Sequence, residues 1–362
     1  MHKTQSIENK KGEVVFRKKL ALQFEGKSSL YPGEPTETEY KSIIINRIRD
    51  YMGYFEYLKK QNIPLGPYLE LGGGVGQGAM LLENKFGVSG FTCDISYETL
   101  RLGDKYIKHL DYKKMPIRIC TDIYNLPFKS QSIPFIFTFQ TLHHLPDPKP
   151  VFEEVKRVLT PGGYFYFNEE PIAQIFNLNL WRRDRNLKWF EKILKLFVVL
   201  HFISRIGKSE TEHNILEETF SLNVWEGTLN IFPKVKVTIK VFPFGPTITL
   251  EKTNKTGWIK PPFLKLILLK VLGGGIEVLC QKEGMLKPAS PSLAESRRAR
   301  GEQVQHDKLY ELLACPNCAN KPQIKLNNNQ ILSCSTCLTE YKKTNGIFTL
   351  LSNDQKKALY EK

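Results

Sequence analysis

The chain has 362 residues, 41% of them apolar, and carries 52 Lys and Arg against 37 Asp and Glu, a formal charge of +15. That apolar fraction excludes disorder throughout, and the length suits one large domain and a small one. The charge favours anionic partners such as nucleic acid, acidic metabolites or an anionic membrane face, weighed against a plain lysine-rich surface.

The N-terminal 26 residues are polar and lysine-rich and lack the apolar stretch of a signal peptide. No run reaches the ~18 apolar residues of a membrane span, so a cytoplasmic location is expected. Residues 1–40 read as loosely ordered, with a possible strand at 13–16. Between 40 and 60, apolar residues at 44, 48, 51, 52, 55 and 58 follow helical spacing. Pro64, Gly66 and Pro67 then break the chain. From 68 onward, strands predicted at 68–72, 88–93, 117–121, 134–139 and 163–168 alternate with helices at 77–86, 96–109 and 149–159. That period implies a parallel sheet covered on both faces. Residues 169–234 break the rhythm as an insertion. Within it, 181–208 is basic and amphipathic, either a solvated helix packed on the core or a lid over an anionic or lipid-like substrate. A strand at 235–242, a helix at 261–272 and a strand at 273–280 bring the expected count to seven strands. Residues 284–306, with Arg297, Arg298 and Arg300, read as a flexible linker.

The stretch that organises the chain follows the first strand, where glycines stand at 72, 73, 74, 76 and 78. They let a ligand approach the backbone beside a helix N-terminus. The turn alone does not name the ligand, since Gly74-x-Gly76-x-x-Ala79 also passes as a loose dinucleotide fingerprint. Asp94 ends the second strand, where a carboxylate can accept both hydroxyls of a ribose or cap the next helix. The third strand ends at Asp122-Ile123, with Leu126, Pro127 and Phe128 following, an acceptor beside an apolar wall that suits adenine. The fourth ends in Leu142-His143-His144-Leu145-Pro146-Asp147-Pro148.

Together these stations resemble the class I S-adenosylmethionine-dependent methyltransferases over residues 68–168. Glu70-x-Gly72-x-Gly74-x-Gly76 is similar to that family's first motif. The His-His-Leu-Pro-Asp-Pro segment, with Arg157 to Gly163, resembles its ubiquinone/menaquinone-type subgroup. The resemblance implies a Rossmann-like, mostly parallel sheet of seven strands. It also implies cofactor contacts from Glu70, Gly72, Gly74, Gly76, Asp94, Ile95, Asp122, Ile123 and Gln140. Candidates for removing a proton from an acceptor are His143, His144, Glu169, Glu170 and, from the insertion, His213, each weighed against capping or packing.

Four of the seven cysteines form Cys315-x-x-Cys318 and Cys334-x-x-Cys337, the spacing of a closed, tetrahedral structural zinc site. The surrounding residues resemble the zinc-ribbon family that includes the small activator subunit of tRNA and protein methyltransferases. This chain has Lys342 and Phe348 where that family often has proline. The expected organisation is an N-terminal extension and helix (1–66), a methyltransferase domain (67–283), the linker, a zinc ribbon (307–352) and a tail (353–362). The favoured function is methylation, at oxygen by preference, of a small-molecule, glycan-precursor or lipid-linked acceptor. Peripheral membrane contact through 181–208 and a protein partner on the ribbon are further expectations. The alternatives are an RNA methyltransferase that grips phosphates with the ribbon and the basic linker, and a cofactor-holding scaffold without catalysis.

Overall fold

A computed structural model describes residues 7–24, 36–172, 189, 193, 196–197, 219–241, 246–253, 257–259, 261–286, 308–327 and 331–361. The central strands are β1 (Tyr68–Leu71), β2 (Gly90–Asp94), β3 (Ile117–Cys120), β4 (Ile133–Phe139) and β5 (Leu159–Ile172). They pair in parallel in the order β3-β2-β1-β4-β5. β1 and β3 are buried along their whole length, as strands covered on both faces must be. The connecting helices are α3 (Gln77–Leu81, prolonged by a π turn at Leu82–Phe86), α4 (Tyr97–His109) and α5 (Lys149–Val158). Ser96 caps α4 by accepting from Thr99 N.

Beyond β5, helix α6 (Leu222–Leu229) leads to β6 (Lys234–Val241), β7 (Thr247–Thr253) and β8 (Gly257–Ile259), and α7 (Phe263–Leu272) leads to β9 (Gly274–Gln281). β9 enters between β5 and β6, antiparallel to both. β6 alternates buried Val235, Val237, Ile239 and Val241 with exposed lysines. After β9 come β10 (Ile324–Leu326), β11 (Ile331–Cys334), β12 (Glu340–Thr344), β13 (Ile347–Thr349) and helix α8 (Asn353–Tyr360). β13 pairs in parallel with β3, so the cysteine module joins the central sheet.

The expected seven strands are therefore part of a mixed sheet of 13 among the described residues. β7 and β8 extend one edge and the module's four strands extend the other. The possible strand at 13–16 is instead helical, inside α1 (Ile7–Phe24). Two adjacent valines and a phenylalanine favour extended backbone locally, but tertiary burial decides. Phe16, Leu20, Ala21 and Phe24 pack with Ile44, Leu102 and Tyr106. α2 (Glu37–Lys60) follows the predicted spacing, opens with a Thr36/Glu39 capping box and buries Ile44, Tyr51, Phe55 and Leu58. Residues 353–360 of the expected tail form α8, which packs against α1. His213, the linker arginines and most of 181–208 lie outside the described residues. Trp189, Ile193, Leu196 and Phe197 of that stretch are exposed. No described helix is long and apolar enough to cross a membrane.

Candidate functional site

β1 hands the chain to a turn in which Gly72, Gly74 and Gly76 all have positive φ. Gly72 is obligatory on two counts. Its φ is +59°, and a Cβ there would fall 2.3 Å from Thr141 Cγ2. Glu70 sits beneath the turn and does not line the cavity. It accepts from Thr92 Oγ1 at 2.7 Å and from Ala79 N at 3.3 Å. Burial pushes its carboxyl up to about 7, with those hydrogen bonds pulling the other way. Glu70 therefore braces the turn from behind.

Asp94, at the tip of β2, receives Gly74 N on Oδ2 at 3.0 Å and Ser96 N on Oδ1 at 2.8 Å. Two lone-pair sites remain for a ligand hydroxyl. Burial raises its carboxyl above the ordinary range. Asp122, after β3, is more heavily engaged. Oδ2 accepts from Lys10 Nζ and from Gln355 Nε2, each at 2.6 Å, and Oδ1 accepts from Tyr124 N at 3.0 Å. Ile123 lines the cavity beside it. Leu126 and Phe128, expected at the same station, lie wholly in the core.

These residues surround a cavity of about 370 Å³, walled by Gly72, Gly73, Gly74, Asp94, Ile95, Thr99, Asp122 and Ile123. Its remaining wall holds Gln140, Thr141, His143 and His144 from beyond β4, together with Glu13, Arg17, Tyr40 and Arg47 from α1 and α2. His143 Nδ1 lies 2.8 Å from Glu170 Oε2. Glu170 is fully buried and also accepts the backbone N–H groups of Thr141, Leu142 and His143. That arrangement fixes the imidazole by its Nδ1 side. The His144 ring stands 4.3 Å from it, centroid to centroid.

Glu169 points away from this pair. It accepts from Gln140 Nε2 at 2.6 Å and from Tyr54 OH at 3.2 Å, and Arg47 in turn bonds the Gln140 carbonyl. Burial raises the Glu169 carboxyl. Gln140 and Glu169 both adopt positive φ, +51° and +67°, a conformation that non-glycine residues adopt at a cost and that clusters at functional sites. Glu13 bonds Arg17 at 3.2 Å. Burial raises its carboxyl, but Arg17 and the two histidines outweigh this and leave it below its ordinary value.

Sequence reasoning named Gly72, Gly74, Asp94, Ile95, Asp122, Ile123, Gln140, His143 and His144, which border this cavity, and also Glu70 and Gly76, which do not. It missed Lys10, Glu13, Arg17, Tyr40, Arg47 and Gln355. The Glu13/Arg17 pair at i, i+4 was the available signal for a helix there.

The four thiols of Cys315, Cys318, Cys334 and Cys337 lie within 4.8 Å of one another. Two of the separations are 3.5 Å (Cys315–Cys337) and 3.9 Å (Cys318–Cys334). A tetrahedron with Zn–S bonds of ~2.3 Å has edges of roughly 3.8 Å, so this donor set fits a zinc ion. The module is tied to the sheet by more than strand pairing. Arg118 donates to Asn345 O at 3.0 Å, Thr121 Oγ1 donates to Leu350 O at 2.8 Å, and Ala314 N donates to Pro127 O at 2.9 Å. Helix α8 then carries Gln355 to Asp122 and Tyr360 to the Ile95 carbonyl.

Residues 69–167 match the family described as Methyltransferase domain. The chain is similar to phosphoethanolamine N-methyltransferase 2 of Caenorhabditis elegans, 27% identical over 95 residues, 26% of this chain and 22% of that protein. It is also similar to malonyl-(acyl-carrier protein) O-methyltransferase of Marinomonas sp., 22% identical over 156 residues, 43% of this chain and 53% of that protein. The matched stretch therefore spans only between a fifth and about half of these relatives. Among solved structures, geranyl diphosphate C-methyltransferase from Streptomyces coelicolor A3(2) aligns with a TM-score of 0.42 at 13% identity, over 69% of this chain and 86% of that one. The stretch of this chain that resembles a methyltransferase domain thus holds the glycine turn, both aspartates and both histidines of the cavity.

Proposed function

We propose that the chain methylates a small-molecule or lipid-linked acceptor, at oxygen, with S-adenosylmethionine as donor. The observation that carries this reading is a cavity bordered both by the glycine turn with Asp94 and by His143, whose Nδ1 is held by Glu170. When bound, the cofactor supplies a methyl group on a sulfonium, whose sulfur leaves as a neutral thioether when the methyl passes to the acceptor. Asp94 would accept the ribose hydroxyls, Asp122 and Ile123 would hold the adenine, and the backbone of Gly72 to Gly74 would lie along the cofactor. Gln140 and Arg47 would border the methionine end. The acceptor's hydroxyl proton passes to the His143 imidazole, and Glu170 steadies the imidazolium so formed. His144 shapes the wall beside it. Cys315, Cys318, Cys334 and Cys337 would hold a structural zinc that keeps the ribbon against β3, covering its edge in cis. The malonyl-(acyl-carrier protein) relative is named as an O-methyltransferase, which supports the choice of oxygen.

Calorimetry with S-adenosylmethionine and S-adenosylhomocysteine tests the cofactor assignment. Asp94→Ala removes a charge-assisted acceptor and is expected to weaken binding by about 10- to 100-fold. Labelled cofactor offered with lipid extracts, small hydroxylated acceptors and bulk tRNA tests the acceptor class. Label found only in RNA would overturn it, and absence of cofactor binding would overturn the whole reading.

A further inference from the structure

Beside the outer edge of the sheet, α7 carries an apolar surface whose residues do not line the cavity and that the proposed methyl transfer does not use. Among the described side chains of α7 only Leu269 is buried, where it packs toward Gly274 and the strands beneath. Phe263 and Leu264 are 78% and 76% exposed, Ile267 is 42% exposed, and Ile259 at the end of β8 is 53% exposed. Positions 263, 264 and 267 share one helix face. Scattered apolar side chains on a surface need no explanation, but a clustered apolar helix face does.

Charge identifies what covers it. α7 holds two lysines, Lys265 and Lys270, and no acidic residue. Lys265 and Lys270 are exposed on α7 itself. A second copy of this chain docked face to face through α7 would set Lys265 and Lys270 against their own counterparts, with no carboxylate on α7 to offset them. An RNA strand would find the phosphates' partners, but three of the four exposed apolar groups are aliphatic and offer no stacking face. A lipid surface with anionic headgroups satisfies both features, since the apolar groups enter the acyl boundary while the lysines stay at headgroup level. Ten residues span only ~15 Å of helix, half a bilayer core, so α7 would lie in the interface plane.

We propose that the β8–α7 edge docks the protein on an anionic membrane surface. The test is co-sedimentation of the full chain with vesicles of phosphatidylcholine alone and of phosphatidylcholine with one-third phosphatidylglycerol. The protein is expected to pellet with the anionic vesicles and to be released by high salt. Phe263→Ser with Leu264→Ser should lower the bound fraction about tenfold or more, from the loss of two inserted side chains. Lys265→Ala with Lys270→Ala should remove most of the preference for anionic lipid. Melting temperature and cofactor binding should match the parent in both variants, because neither pair touches the cavity. Failure of the parent to pellet, or pelleting of the serine variant like the parent, overturns the proposal. So does a dimer in light scattering that the serine variant converts to monomer, because that assigns the face to a second copy. Pelleting involves neither cofactor nor acceptor, so its failure would leave the methyltransferase reading intact.

Discussion

Replacing Lys10 with Met tests whether the N-terminal helix is held onto the cavity by a buried charge. Lys10 and Asp122 are 6% and 2% exposed, and their 2.6 Å contact joins residues 112 positions apart. Methionine keeps most of the stem but removes the ammonium. Breaking a buried pair by removing one partner costs about 3–5 kcal/mol, because the other charge stays buried. Asp122 would retain the Gln355 amide and the Tyr124 N–H, so the loss should sit near the lower end, about 3 kcal/mol. Asp122→Asn should cost at least as much, because it strands the ammonium. The double variant should lose less than the two singles together, with a coupling of about 2 kcal/mol. Urea unfolding followed by circular dichroism measures each value from the midpoint at unchanged slope. A loss below about 0.5 kcal/mol for Lys10→Met, as an exposed ion pair gives, would refute the argument.

Further outcomes follow from the same geometry. Glu70 titrates at about 7 in the fold against an ordinary 4.5, so its contribution to stability is full below 4.5, falls as pH rises through 7 and is flat above. Glu70→Gln should erase up to roughly 3 kcal/mol of that slope, and melting curves of parent and variant that stay parallel from pH 4.5 to 8 would contradict it. Gly72→Ala and Gly87→Ala both place a side chain at positive φ, +59° and +65°, but only at Gly72 does the Cβ meet another residue. Gly87→Ala should lose about 1–2 kcal/mol of stability, Gly72→Ala should lose more because its Cβ also meets Thr141, and only Gly72→Ala should also lose cofactor affinity by calorimetry. The purified chain should release one zinc per molecule to a colorimetric chelator. Cys315→Ser with Cys318→Ser should abolish that release and lower the melting temperature, and a chain that holds no zinc and melts like the variant would remove the metal assignment.

The parts legible in the sequence were those whose cause is local. Continuous apolar strands declare a sheet buried on both faces, and the glycine turn, Asp94 and Asp122 fall at strand tips whose spacing the helices between them set. The parts that were not legible depend on distant partners. Val14 and Phe16 favour strand until α4 and α2 are present to bury a helix face. The Glu170 carboxylate that holds His143 Nδ1 stands 27 residues later, and nothing near Asp122 announces Gln355, 233 residues on. Of the extra strands, β8 escaped because it is three residues long, edge-lying and largely exposed, whereas β7 alternates buried Ile248 and Leu250 with exposed threonines and carried a readable strand pattern.

The pairing of β13 with β3 also bears on how the chain reaches its native state. Thr121 and Leu350 are bonded although 229 positions apart in the chain, and Arg118 and Asn345 although 227 apart. Contacts of such separation form late, because a long loop must close before they contribute. Until then β3 is an open edge of apolar Ile117 and Ile119 with unpaired N–H and C=O groups, the kind of template on which another chain can add a strand. Refolding yield should therefore depend steeply on protein concentration, and the cysteine module, supplied early or late, decides whether that edge is closed by its own chain or by a neighbour.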